Sequence, residues 1–200
     1  MASLAPLRCE CAPRTPPGTR SKQLGVARFR AIADTHLSLS LSYPPDNDDK
    51  KKQLGEFFGT YPPPKIADLV PGYAQAIRDS NPSISKLGVL GFCWGGKVVA
   101  LSVKADTNPF SVAATAHPGM VDPADAEGLT IPFILLASGE EPEDTVKEFE
   151  NALKVPNHVE TFKDQIHGWM AARSDLQDPR VREEYERGYK TVLTFFGKHF

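Results

Sequence analysis

The stretch Gly88-Val89-Leu90-Gly91-Phe92-Cys93-Trp94-Gly95-Gly96 combines an apolar run with closely spaced glycines. It fits the pattern Gly-x-nucleophile-x-Gly, in which the central residue sits on a sharp turn between a buried strand and a helix. The pattern predicts that Cys93 is a nucleophile and that the backbones pack too closely at Gly91 and Gly95 to admit side chains. The amides that open the helix favour the thiolate form of the cysteine. The amide of Trp94 is predicted to be one donor of an oxyanion hole.

Two other interpretations of this stretch compete with the nucleophile. Cysteine is among the residues most often buried, so Cys93 could be a structural side chain on a glycine-rich turn. A phosphate-binding turn is the second alternative, but the chain lacks both the Walker pattern and Gly-x-Gly-x-x-Gly. Because a strand pattern precedes the cysteine and a helical pattern follows it, we prefer the nucleophile.

Apolar runs alternate with helical patterns on both sides of this turn, as they do in α/β proteins. Buried strands are predicted at residues 85–92, 112–116, 131–137 and 159–162. Helices are predicted at residues 47–58, 66–78, 97–104, 146–153 and 182–196. Pro71 is expected to kink or divide the second helix. The pattern therefore indicates a mostly parallel sheet flanked by helices.

The N-terminal part of the chain has a different composition. Residues 1–23 are rich in proline and poor in acidic side chains, which predicts a disordered tail. Leu37, Leu39 and Leu41 alternate with serines, a pattern typical of a half-buried strand. A single domain is therefore predicted over residues 24–200.

Composition and charge exclude several classes of partner. The net charge is −2 with both signs interspersed, so no basic field exists to hold a nucleic acid. No apolar run approaches the ~18 residues that a membrane span needs. The chain has three cysteines, a small and odd number that argues against a disulfide framework. This count indicates a reducing, cytoplasmic location. Cys9 and Cys11 lack the further ligands that a structural zinc site needs, so no metal is expected.

A cysteine nucleophile needs a histidine as its base and a group that orients the histidine. In this arrangement the order along the chain is nucleophile, acid and histidine, each after a strand. His167 lies in the loop that follows the strand predicted at residues 159–162, and we therefore expect it to be the base. His117 ends a strand before Pro118. A histidine that is hydrogen-bonded at a strand end is the preferred interpretation there, with a lining residue of the pocket as the alternative.

The acid is expected after the strand at residues 131–137, where the segment 138–144 reads SGEEPED. Crowded carboxylates on a loop are usually solvated and stabilise the start of the following helix. One of them is predicted to turn inward to the histidine. Glu141 is favoured, ahead of Glu140 and then Asp144, and the choice stays open at this point.

The sequence from Tyr43 to Phe200 resembles the dienelactone hydrolase family, especially its fungal members. The resemblance is carried by GFCWGG at 91–96, AHP at 116–118, PFIL at 132–135, HGWMAAR at 167–173 and YERG at 185–188. It implies an α/β-hydrolase fold with a Cys-Asp-His triad. It also implies a cytosolic monomer that hydrolyses an enol-lactone or a similar small ester through a thioester, without a cofactor.

Four site residues follow from matching the family motifs. Cys93 matches the family nucleophile and His167 the base. Glu141 stands where the family normally has an aspartate, or Glu140 if the loop is aligned differently. Arg173 looks like the family arginine that binds a substrate carboxylate, although its spacing from the histidine is longer.

The residues before Tyr43 do not resemble the family. Its first strands form one side of the sheet, and an early loop provides a second oxyanion donor and a glutamate that regulates the thiol. We therefore expect an α/β-hydrolase fold that lacks the first strands. Because loss of one oxyanion donor costs ~10²–10³ in rate, two other functions stay open. They are a catalytically impaired relic with a binding or structural role, and a redox-sensing thiol protein.

Overall fold

A computed structural model describes residues 45–104 and 107–200. The tail predicted at residues 1–23 and the strand pattern of Leu37 to Leu41 lie outside the described residues. The predicted extent of the domain, residues 24–200, therefore stays a prediction.

A sheet of four parallel strands forms the centre of the described fold. Its strands are β1 (Gly88–Cys93), β2 (Val112–Pro118), β3 (Phe133–Ser138) and β4 (Asn157–Phe162), in that spatial order. Every residue of β2 and β3 is buried, because both faces of these central strands are covered. The four predicted strands are confirmed, and their ends differ from the predictions by a few residues.

Helices connect the strands and cover both faces of the sheet. They are α1 (Asp48–Thr60), α2 (Pro63–Ala67), α3 (Val70–Ser80), α4 (Trp94–Ser102), α5 (Pro123–Ala126), α6 (Glu143–Ala152) and α7 (Pro179–His199). The division expected near Pro71 is confirmed, since α2 and α3 are separate and Pro71 lies in the first turn of α3. The sequence did not predict α5, which is too short to show a periodic pattern and begins with a side-chain cap from Asp122.

Alternation along the strands divides the core into two layers. Side chains such as Phe133 and Leu135 face one layer, with α2, α3, α4 and α6. Ile134 and Leu136 face the other, with Val192 of α7. The predicted parallel sheet with helices on its faces is therefore confirmed. Within the described residues β1 is an edge strand, and this edge carries the cysteine.

The turn from β1 into α4 depends on one glycine rather than two. A Cβ atom on Gly91 would lie 2.2 Å from the carbonyl oxygen of Gly95, so no other residue fits there. A Cβ atom on Gly95 would meet nothing within 4 Å among the residues that the structure describes. The prediction that Gly95 must be a glycine is wrong, because its Cβ direction points into open space instead of toward the strand.

This difference predicts opposite outcomes for two matched substitutions. Gly91→Ala is expected to lower the free energy of unfolding by at least ~2 kcal/mol, because backbone atoms on the opposite side of the turn cannot move away cheaply. Gly95→Ala is expected to stay within about 1 kcal/mol of the wild type, because alanine favours the helix. Urea unfolding followed by circular dichroism measures both. Equal losses in the two variants would contradict the packing described here.

Candidate active site

Cys93 lies at the carboxyl end of β1, where the chain turns into α4. Its φ is 49°, in the left-handed region that a cysteine rarely adopts, and its side chain is partly exposed. The register between β1 and β2 shifts at this point, and the amide of Gly119 donates a hydrogen bond to the carbonyl oxygen of Cys93 at 2.9 Å. The neighbouring strand therefore holds the cysteine in a strained conformation that presents its sulfur at the edge of the sheet.

His167 lies in the loop between β4 and α7 and is only 7% exposed. Its Nδ1 atom is 2.6 Å from Oε1 of Glu141, and Cys93 is close enough to raise the pKa of the same ring. Glu141 follows β3 and is buried, with its other oxygen, Oε2, accepting a hydrogen bond from the amide of Ser138. The carboxyl ends of three strands thus bring a thiol, an imidazole and a carboxylate together.

The electrostatics of this row favour a protonated histidine. Burial alone disfavours the charged ring, but the hydrogen bonds and charges of Cys93 and Glu141 outweigh it and raise the pKa of His167 to about 9. At neutral pH the imidazolium can therefore share its proton with the sulfur while Glu141 supports its charge. A protonated imidazole beside a thiol favours the thiolate, which is the nucleophilic form of a cysteine.

Of the three candidate acids, only Glu141 contacts the histidine. The side chain of Glu140 is 48% exposed and lies 3.6 Å from the guanidinium of Arg173. Asp144 is exposed in the first turn of α6. The amide of Ser138 donates a hydrogen bond to the carboxylate of Glu141, which therefore points back toward the sheet. This contact distinguishes Glu141, which is buried, from Glu140 and Asp144, which are exposed.

Gly139 is a site residue that the sequence reasoning missed. Its amide donates a hydrogen bond to the carbonyl oxygen of Gln165 at 2.9 Å. A Cβ atom on Gly139 would lie 2.4 Å from the carbonyl oxygen of Lys163. The loop with the carboxylate and the loop with the histidine therefore touch backbone to backbone. A glycine directly after a buried strand was the only available signal.

Arg173 lies close to the site, with its guanidinium turned toward the histidine loop. Its Nη1 atom donates a hydrogen bond to the carbonyl oxygen of His167 at 2.6 Å. The side chain is partly buried, with 24% of its surface exposed. The expectation that Arg173 binds a substrate carboxylate stays a prediction.

Trp94 is the first residue of α4, immediately after the cysteine. Its amide is in the first helical turn, where N–H groups have no partner within the helix, and its assignment as an oxyanion donor stays a prediction. Its indole packs edge-on against Phe57 of α1, with the ring centroids 5.4 Å apart. The sequence reasoning did not connect α1 with the site, because a contact between distant aromatic residues leaves no local pattern.

His117 is a second imidazole beside the base. It is 1% exposed, its φ is 37°, and its ring centroid is 5.0 Å from that of His167 and 5.6 Å from that of Phe92. Neither ring nitrogen has a hydrogen-bond partner in the described residues, so the preferred prediction of a hydrogen-bonded histidine is wrong. Burial, followed by the charge of His167, lowers the pKa of His117 to about 4. The ring is therefore neutral when His167 is charged.

The described residues contain neither a cluster suited to a metal ion nor a helix suited to span a membrane. No group of three or more histidine, cysteine or carboxylate side chains there is arranged to hold a metal ion. None of the helices in that part of the chain combines the length and the apolar composition needed to cross a bilayer.

Comparison with known proteins adds a family and several relatives. Residues 46–200 match the sequence model of the Dienelactone hydrolase family. An uncharacterized AIM2 family protein of Schizosaccharomyces pombe is 36% identical over 163 residues, which are 76% of this chain and 63% of that protein. Hydrolase pyvD of Aspergillus violaceofuscus is 26% identical over 153 residues, which are 74% of this chain and 61% of that protein. The chain thus spans less than two thirds of the length of these curated relatives.

A solved structure extends the comparison. The crystal structure of a dienelactone hydrolase from Anabaena variabilis aligns with a TM-score of 0.49 and 13% identity, covering 70% of this chain and 66% of that one.

The neutral imidazole of His117 predicts a loss of stability in acid. Between pH 6.5 and about pH 4 the unfolded chain binds a proton at this position that the folded chain does not. The free energy of unfolding is therefore expected to fall by up to about 3 kcal/mol as the pH drops through this window. His167 does not oppose this, because its raised pKa gives a contribution that is already complete below pH 6.5.

Urea unfolding at a series of pH values measures this effect. His117→Asn is the matched variant, because asparagine tolerates the positive φ but does not titrate. The pH slope that belongs to His117 is expected to disappear in this variant, whatever its stability at neutral pH. Identical slopes in the two proteins would contradict the assignment.

Proposed function

Because the chain belongs to the dienelactone hydrolase family, we propose that it cleaves an enol-lactone or a small carboxylic ester through a cysteine thioester. The observation that carries this proposal is the convergence of Cys93, His167 and Glu141, in which Nδ1 of His167 lies 2.6 Å from Oε1 of Glu141. Along the chain these residues follow in the order Cys93, Glu141 and His167, which is that of a nucleophile, an acid and a base on this fold. The chemistry proceeds without a cofactor in this proposal, in a cytoplasmic monomer.

The first half of the reaction is acylation of the sulfur. The Cys93 thiolate attacks the carbonyl carbon of the lactone or ester, and the negative charge moves to the carbonyl oxygen. The amide of Trp94, at the start of α4, donates a hydrogen bond to that oxygen. The tetrahedral species collapses to a thioester when the C–O bond breaks, and the imidazolium of His167 gives its proton to the leaving oxygen.

The second half returns the enzyme to its starting state. His167, now neutral, removes a proton from a water molecule, which attacks the thioester carbonyl. The C–S bond breaks, the carboxylic acid leaves, and the sulfur again shares the proton of the imidazolium. Glu141 orients the ring and balances its charge in both halves, since its carboxylate lies 2.6 Å from Nδ1.

Removal of the sulfur tests the nucleophile directly. Cys93→Ala is expected to lower kcat/KM for p-nitrophenyl acetate by at least ~10³-fold, because no other group can form the acyl intermediate. Intact-mass measurement during turnover is expected to show one acyl group on the wild type and none on the variant. Equal rates in both proteins would refute the proposal. A wild type that reacts rapidly with peroxide but not with esters would favour the redox-sensing thiol.

A pair of carboxylate substitutions tests the acid. Glu141→Gln is expected to lower kcat by about 10²–10⁴-fold, because an amide cannot stabilise the imidazolium and can fix the ring in the wrong tautomer. Asp144→Asn is the matched control, since it removes an exposed carboxylate of the same segment and is expected to leave kcat unchanged. Steady-state kinetics with p-nitrophenyl acetate compare the two. A larger loss of kcat in Asp144→Asn than in Glu141→Gln would contradict the assignment of Glu141 as the acid.

A further inference from the structure

The side chain of Arg173 curls back over the loop to which it belongs. Its Nη1 atom donates a hydrogen bond to the carbonyl oxygen of His167 at 2.6 Å, and its backbone amide donates one to the carbonyl oxygen of Gly168 at 3.3 Å. The aliphatic part of the side chain packs on Gly168, whose φ is 93°. A Cβ atom on Gly168 would lie 3.0 Å from Cδ of Arg173. The arginine therefore covers the backbone that carries the base.

A second contact joins the same guanidinium to the loop of the acid. The Nη1 atom lies 3.6 Å from Oε2 of Glu140, the residue before Glu141. This ion pair is half exposed, so its own contribution is small. The bond to the His167 carbonyl is partly buried and charge-assisted, which makes it the stronger of the two. One side chain thus links the two loops whose ends form the contact between imidazole and carboxylate.

The direction of the guanidinium also bears on the substrate. An arginine that binds a substrate carboxylate uses a planar fork of N–H donors, and one nitrogen of that fork, Nη1, here faces both the His167 carbonyl and the Glu140 carboxylate. Turning Arg173 toward a bound substrate would break both contacts at the moment when the base must be held in place. A misplacement of about 1 Å in a catalytic group can reduce a rate ~10²-fold.

We propose that Arg173 is a positioning residue that holds His167 against Cys93 and Glu141, and that the enzyme acts on esters or lactones without a carboxylate for this arginine to bind. The inference rests on the proposed function for its substrate class. The positioning role stands on the contacts of Arg173 alone, so it can be tested even if ester hydrolysis fails.

Kinetics with two esters separate positioning from substrate binding. The variants are Arg173→Ala and Arg173→Lys, and the esters are p-nitrophenyl acetate, which is neutral, and mono-p-nitrophenyl succinate, which carries a carboxylate. Arg173→Ala is expected to lower kcat about 10–100-fold on both esters with little change in KM, and added guanidinium ion is expected to restore part of the loss. Arg173→Lys is expected to be intermediate, because lysine keeps the charge but lacks the planar fork.

The pH dependence of cysteine alkylation supplies a readout that does not need ester hydrolysis. Iodoacetamide reacts with the thiolate, so its rate reports the ionisation of Cys93. In Arg173→Ala the thiolate is expected to form at higher pH than in the wild type, because the histidine is held less firmly beside the sulfur. A wild type that hydrolyses neither ester but shows this shift would refute the proposed function and keep the positioning role.

Arg182→Ala is the matched control for folding. Arg182 also binds a backbone carbonyl, that of Leu176, through Nε at 2.8 Å, but it lies in α7 on the surface. It is expected to change neither kcat nor the alkylation profile. A loss confined to KM for the succinate ester would overturn the proposal in favour of carboxylate binding. An unchanged kcat together with an unchanged alkylation profile would overturn it altogether.

Discussion

The parallel alignment of β1 to β4 is the constraint from which the candidate site follows. Strands that run in one direction end at one edge of the sheet, so residues distant in sequence meet there. Cys93 ends β1, Glu141 follows β3 and His167 follows β4. The central strands β2 and β3 are buried on both faces, and that packing helps to fix where the strand ends lie. The hydrogen bond between His167 and Glu141 is a consequence of this alignment.

Much of this arrangement could be predicted from the sequence, because periodicity and motif order are local signals. The four strands, the divided helix at Pro71 and the positions of Cys93 and His167 on their elements were readable in this way. The sequence favoured Glu141 only weakly over its neighbours. The contact that distinguishes it is a hydrogen bond from the backbone amide of Ser138, which turns its carboxylate inward. Sequence patterns do not encode such a direction.

The errors of the sequence reasoning have the same physical origin. Gly95 fitted the motif, yet its Cβ direction faces open space, whereas that of Gly91 faces a carbonyl oxygen. His117 was expected to be hydrogen-bonded and instead packs as a neutral ring between Phe92 and His167. In each case the residue type was visible and its orientation was not.

The close approach of Gly139 to Lys163 has a consequence for the motions of the site. Because the backbone of one loop lies against that of the other, neither can open alone without breaking the bond from Gly139 to Gln165. The carboxylate and the imidazole therefore belong to one cooperative unit, which opens or closes as a whole.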